Sequence, residues 1–396
     1  IAGGLLAIAA CIGRSFEPDL LAQPDTDRSE DEVLVALEEA LAVQLIEPVA
    51  HSRQFRFSHA LVRECVYDEM LGLRRSRLHR RIGELLERRF GENDDPGVLA
   101  QLAYHFSEAG PGDAALKALA YAKQSAQRAA QLLAFEEAVR LYQLALALQR
   151  QHFAKDTAAQ CALLLDLGDV ELNLGAAERA LTAYQAAADL ARAEGLVLLF
   201  ARAAVGFERS NAAAARSGET AVALLLEAIA LHRSEHALQG QLLAHLCRAY
   251  VYCDRVEDFK EAHRRAVTLA RKIGDADALR MALAAFASAV YWPDLLHERL
   301  AAAREAWGLA EDLSQPGFVV DLLPYYLIDL LHVGDMPALA RLRDQGLRLT
   351  ERTGWLHYQS ICRCVEAVVA INEGRFADAE VWAAQGLAIG RRVAEA

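Results

Sequence analysis

The sequence predicts a mostly α-helical protein, a small mixed domain followed by a long array of paired helices. Three observations carry this reading. The composition is 54% hydrophobic but only 7% aromatic, and much of the apolar content is alanine, which favours helix and lets helices pack closely. At 396 residues the chain exceeds what one compact core holds, so several domains or a repeat array are expected. Beyond about residue 130, turn residues recur at a near-constant spacing, which is the signature of stacked repeats.

Leu5 to Cys11 reads as a helix ended by Gly13, and Arg14 to Leu21 as a turn into a short second helix. Residues 23–28 form a polar loop by composition. Ser29 and Glu32 stand at capping-box spacing. Behind them Val33, Leu34, Leu37, Leu41 and Leu45 carry the stripe of a third helix, which Pro48 is expected to stop. A hairpin turning at His51 to Gln54 joins Leu45-Ile46 to Phe55-Arg56-Phe57, whose alternating aromatic residues suit one face of a strand. Ser58 is placed to cap a fourth helix with Leu61, Val62, Cys65, Val66 and Met70 on its apolar side. A fifth helix, from about Ser76, turns Leu78, Ile82, Leu85 and Leu86 inward and arginines outward. Strand, helix and basic helix at this spacing look like the end of a winged-helix domain over residues 1–90. Residues 91–98 read as a linker and 99–396 as a repeat arm.

In the arm, a turn residue is followed at +2 by an apolar residue and at +5 by alanine. The copies are Leu133/Phe135/Ala138, Gly175/Ala177/Ala180, Glu257/Phe259/Ala262 and Gly374/Phe376/Ala379. Gly218, Pro293-Asp294 and Gly334 mark looser ones, and successive turns lie 37 to 43 residues apart. Leu164, Leu167, Gly168, Ala180, Tyr184 and Ala187 resemble a tetratricopeptide unit. Small Gly168 and Ala180 would let the two helices of a hairpin approach, and Tyr184 would fill the gap to the next. A period near forty gives extended tetratricopeptide-like hairpins. Each buries its apolar face only against its neighbours, so about seven of them make a right-handed α-solenoid.

The formal net charge of −12 argues against a nucleic-acid sleeve. Residues 71–90 run the other way, with seven arginines against two glutamates. Seven cysteines at wide spacings read as buried free thiols in a reducing cytosol, with no zinc-site pairing. No run is long and apolar enough to span a membrane. The chain lacks an initiating Met and opens within a helix, so a fragment of a larger protein is expected. There is no GxxxxGK[ST], GxGxxG, HExxH or GxSxG pattern, and an enzyme is not expected from these residues.

Three candidate sites stand out. His59 lies at the start of the fourth helix, where free N–H groups and the helix dipole can help to hold a phosphate; the alternative is a histidine that only bonds the wing backbone. Arg74, Arg75, Arg77, Arg80 and Arg81 could meet DNA phosphates or an acidic neighbouring domain. The helix that would read a groove carries Asp31, Glu32, Glu38 and Glu39, which disfavours DNA. His79, among the arginines, reads as structural. On the repeats, Tyr250, Tyr252, Tyr291, Trp292, Tyr325, Tyr326, Trp355 and Tyr358 could grip a peptide or small effector, or could be inter-repeat core.

Two stretches, Phe55-Arg56-Phe57-Ser58-His59-Ala60-Leu61-Val62-Arg63-Glu64 and Leu78-His79-Arg80-Arg81-Ile82-Gly83-Glu84-Leu85-Leu86-Glu87, closely resemble a pattern of bacterial signal-transduction ATPases with numerous domains, the STAND class. That class includes large LuxR-type transcriptional regulators and ATPase modules fused to cyclases. Tyr104-His105-Phe106, Ala109-Gly110, Ala129-Ala130 and Glu137-Ala138 are similar to the start of the family's repeat arm. The resemblance implies a switch in which ADP, bound mainly by an upstream nucleotide-binding domain in cis, holds the winged helix. ATP exchange, favoured by an effector or partner on the repeats, releases it for self-association and for an output such as transcription. It implies a phosphate contact for His59, with Arg63 one turn on. It also implies a cytoplasmic protein with no cofactor in this chain, since ATP or ADP belongs to the missing domain. The sequence departs from the plant and animal versions at Ala60, where they carry an acidic residue. A free-standing repeat scaffold and a DNA-binding winged helix are the rival readings.

Overall fold

A computed structural model describes residues 2–22, 30–90, 94–214, 216–232, 237–290, 292–309, 316–353 and 356–394. They pack into two units, 1–163 and 164–396.

Unit 1 opens with α1 (Ala2–Ile12), β1 (Ser15–Phe16), α2 (Asp19–Ala22), α3 (Glu30–Ala42), β2 (Ile46–Pro48) and β3 (Phe55–Phe57). The strands form an antiparallel sheet in the order β1-β3-β2, with Phe16 opposite Phe55 and Ile46 opposite Phe57. Phe16 and Phe57 point into the core, their ring centroids 5.7 Å apart. The strand β1 forms within the turn expected at Arg14 to Leu21, so the small sheet has three strands among the described residues. The helix α3 ends at Ala42, where Gln44 takes a φ of 57°. Pro48 therefore does not stop it. It lies in the edge strand β2, where a missing N–H costs no ladder bond. The buried side of α3 is Val33, Ala36, Leu37 and Ala40, with Leu34 exposed; alanines complete the stripe that leucines were expected to carry. Ser29 lies outside the described residues.

Next come α4 (Ala60–Asp68) and α5 (Gly72–Phe90), which begins one turn earlier than expected. Leu78, Ile82, Leu85 and Leu86 face inward as anticipated. On α4 the expected apolar side is divided: Val62 and Val66 pack on the core and Met70 is buried just beyond the helix, while Leu61 and Cys65 are exposed. Then follow α6 (Pro96–Glu108), α7 (Asp113–Gln131) and α8 (Phe135–His152). The carboxylate of Asp95 caps α6, accepting from the amides of Gly97 at 2.8 Å and Val98 at 3.1 Å. Leu102 and Phe106 of α6, with Ala114 and Ala118 of α7, join the same core as Ile8, Phe57 and Ile82. One core thus includes residues from both sides of residues 91–93.

The boundary between units falls within α9 (Thr157–Asn173). The chain then runs through α10 (Ala177–Ala193), α11 (Val197–Ala213), α12 (Glu219–Leu231), α13 (Ala237–Val251), α14 (Val256–Ile273), α15 (Ala276–Ala287), a 3-10 turn (Pro293–Leu295), α16 (Leu296–Leu309), α17 (Pro316–Val333), α18 (Met336–Thr353), α19 (Leu356–Asn372) and α20 (Phe376–Ala394). From α7 onward the described helices pair as seven hairpins, the number the spacing predicts. Several turns close on a left-handed residue: Leu133 (φ 61°), Gly175 (84°), Asp254 (54°), Gly334 (73°) and Gly374 (77°). Glu257 lies inside α14, three residues past the actual turn, and Gly218 does not need its glycine freedom (φ −74°).

Tyr184 of α10 is fully buried, and its hydroxyl donates to Asp169 Oδ1 at 2.5 Å. A Cβ on Gly168 of α9 would come within 2.8 Å of its ring, and one on Gly206 of α11 would overlap it outright. Tyr184 therefore lies between the first helices of two successive hairpins. Tyr184 fills the gap to the next hairpin as expected, against Gly206, which the sequence reading did not name. The ring that Gly168 makes room for is that of Tyr184. Farther on, α11, α13, α15, α17 and α19 each pack on the next as well as on their own partners, so the first helices of unit 2 share one face.

Candidate functional site

The strand β3 delivers His59. Phe57 is buried, its amide donates to the Arg14 carbonyl at 3.1 Å, and the Ser58 amide donates to that of Leu45 at 3.0 Å. The Ser58 hydroxyl donates to the carbonyl of Gln44 at 2.7 Å, so it ties the hairpin together and does not cap α4. His59 takes the cap instead, with extended backbone and its Nδ1 accepting from the Leu61 amide at 3.3 Å. That bond leaves the proton of the neutral ring on Nε2. The ring is exposed at the positive end of the helix dipole. An exposed imidazole donor at the N-cap of α4, just past residues pinned by three bonds, can meet an anion brought to it.

Arg63 is half-buried and turned toward the core. Its Nε donates to the Ala10 carbonyl at 3.0 Å, and its guanidinium lies 5.6 Å from the centre of the Tyr67 ring. Arg75 covers the same ring at 5.1 Å, so two cations flank one aromatic residue. Beneath them the Tyr67 hydroxyl lies 3.1 Å from His79 Nε2, and His79 Nδ1 lies 3.0 Å from His105 Nδ1. Both histidines are buried. Burial lowers the His79 pKa to about 4, with help from the Arg63 and Arg75 charges. Burial and the neighbouring His79 bring His105 to about 3. Both rings are neutral near pH 7, one Nδ1 donating and the other accepting. His79 is structural, as read; its partner His105, on α6, carried no sequence signal of the pairing.

Of the remaining arginines, Arg74, Arg77 and Arg80 are exposed on α5, and Arg81 is half-buried. Asp31, Glu32, Glu38 and Glu39 are exposed on α3. The basic and acidic faces therefore belong to different helices, and α3 does not offer a surface suited to DNA phosphates.

On the shared face of unit 2, ion pairs join successive first helices. Arg202 of α11 reaches Asp166 at 2.9 Å and Asp169 at 2.5 Å on α9. Glu208 of α11, only 2% exposed, receives Arg248 and His245 of α13. Its burial alone would raise its pKa, but Arg248 and His245 bring it down to about 2. These groups were absent from the sequence-based candidates because their partners lie 33 to 40 residues apart. Of the aromatic candidates, Tyr250, Trp292 and Tyr326 are buried in packing. Arg255 covers the Tyr250 ring at 4.8 Å, Trp292 Nε1 donates to Asp254 at 2.8 Å, and Tyr326 meets Trp307 edge-on. Tyr252 and Tyr325 are half-buried. Tyr291, Trp355 and the side chain of Tyr358 lie outside the described residues. Among the described residues no cluster suits a metal ion, and no helix is long and apolar enough to cross a membrane.

No family model matches the chain, and no curated protein matches it. Among solved structures it is similar to a STAND protein with a tetratricopeptide repeat sensor from Pyrococcus horikoshii, at 13% identity and a TM-score of 0.48, over 97% of this chain. The match spans 62% of that protein's length. A Rap protein complexed with Competence and Sporulation Factor matches at 12% identity over 92% of this chain and 94% of its own, TM-score 0.52. The apo form of RapI matches at 11% identity over 70% of this chain and 98% of its own, TM-score 0.52. At these identities the likeness is one of fold, and the fold is a mostly all-α array of tetratricopeptide-like helical hairpins.

Proposed function

We propose that this chain is the winged-helix and sensor region of a STAND-type ATP-dependent regulator. An effector held on the repeats would be coupled, through the small domain, to a nucleotide switch in a nucleotide-binding domain in cis, with transcription as the output. The order α1-β1-α2-α3-β2-β3, with β3 central, is that of a winged helix and supports the first part. The observation that carries the reading is His59. Its Nδ1 is occupied by the Leu61 amide, so Nε2 is left to donate outward from a helix N-terminus, as a contact to a nucleotide phosphate requires. Arg63, bound to Ala10 and Tyr67, would position α4 rather than touch the nucleotide. Exposed Arg74, Arg77 and Arg80 would meet the neighbouring domain. The effector would lie on the charged shared face of unit 2; the Rap protein, of similar fold, was solved with a factor bound.

The test joins this chain to its nucleotide-binding domain and measures ADP affinity by calorimetry. His59→Asn keeps a cap residue while removing the imidazole. ADP should bind about tenfold more weakly, the worth of one charge-assisted hydrogen bond. Unchanged ADP affinity in a variant that melts like the parent would remove His59 from the switch.

A further inference from the structure

The hairpin of α19 and α20 carries an exposed apolar face at a place that is covered in the earlier hairpins. Ala180, Ala221, Phe259, Arg299, Leu339 and Ala379 hold equivalent places in successive second helices. Eight residues beyond the first five lie Ala188, at 0% exposure, and half-buried Ile229, Val267, Trp307 and Leu347. The sixth such residue, Leu387 of α20, is 56% exposed. Val381 on the same helix, with Val368 and Ile371 on α19, is exposed too. Between the two helices runs a shallow groove lined by Cys364, Ala367, Ala383 and Gly390. In the earlier hairpins the equivalent surface is covered by the next repeat.

The pattern along α20 points to what covers it. Glu380, Ala384, Leu387 and Arg391 are all exposed, and at i, i+4, i+7 and i+11 they form one stripe. The stripe complements itself when reversed. An antiparallel copy about a two-fold axis sets Glu380 against Arg391 and Ala384 against Leu387. Small residues opposite large ones let the helices approach, and the ends attract. We propose that α20 is an isologous docking surface for a second copy of this chain, packed antiparallel along this stripe. The surface is independent of the nucleotide reading.

Sedimentation of the 396-residue chain over a concentration series up to about 100 µM tests it. The expected result is a monomer–dimer equilibrium that Leu387→Glu abolishes without altering the helical melting curve. Glu380→Arg and Arg391→Glu should each weaken the dimer about fivefold. The double exchange should restore it, because the reversed charges again face each other. A parent chain that stays monomeric would overturn the proposal and would mean that a different segment covers the face. A dimer indifferent to Leu387→Glu, or a double exchange no tighter than the singles, would overturn it equally.

Discussion

His79 and His105 face each other under two guanidinium groups, and both rings are neutral near pH 7. In the unfolded chain each would titrate near 6.5. Their folded pKa values are depressed, so the stability they permit is complete above pH 6.5 and falls as the pH drops toward 4 and then 3. Each ring would steepen that fall by up to about 1.4 kcal/mol per pH unit. Urea unfolding at pH 7, 5.5 and 4.5 should show the loss, and His105→Gln should flatten its slope; an unchanged slope would mean that the pair takes up no protons on unfolding. The sequence showed His79 among charges of its own sign, which suggested a structural residue. It could not show His105, because only the packing of α5 on α6 brings the two rings together. The cap on α4 was misjudged by one position for a similar reason. Ser58 is the better capping residue in isolation, but the hairpin carbonyls of Gln44 and Leu45 claim its hydroxyl first.

The buried ion pair of α16 and α17 shows what holds neighbouring elements in register. Arg299 is 1% exposed and donates to Asp329 at 2.6 Å, while its Nη1 donates to the carbonyls of Ala289 and Trp292. One side chain thus fastens α16 both to the next hairpin and to the irregular turn before it. Asp329→Ala strands a buried cation and should cost about 3–5 kcal/mol, visible as a lowered urea midpoint. Arg299→Met combined with Asp329→Leu should cost clearly less than the sum of the singles. A strictly additive double variant would show that the two groups act separately. In the sequence, Arg299 occupies a place that alanine fills in several other repeats, so the helix was legible and its polar contact was not. The reverse held for β1. Two residues carry no periodicity, and only pairing with β3 makes Ser15 and Phe16 a strand.

For the molecule as a whole, the repeat count followed from spacing alone, since each hairpin must bring its own turn and its own small contact residue. What spacing could not place is where packing divides. The helices α6 and α7 finish the small domain's core, and composition at residues 91–98 says nothing of that. The proposed reading puts the nucleotide site in another domain, so on that reading the pure protein should release no phosphate from ATP. Turnover that vanished in a His59→Ala variant would locate catalysis here instead. The ring of Tyr184, held between Gly168 and Gly206, has a mechanical corollary. A hairpin that rests only on flat faces can slide or peel under load. One whose neighbours clasp a common ring must lift that ring out of two sockets at once before it yields. Stretched along its length, this part of the array would resist as a stiff block and then give way abruptly.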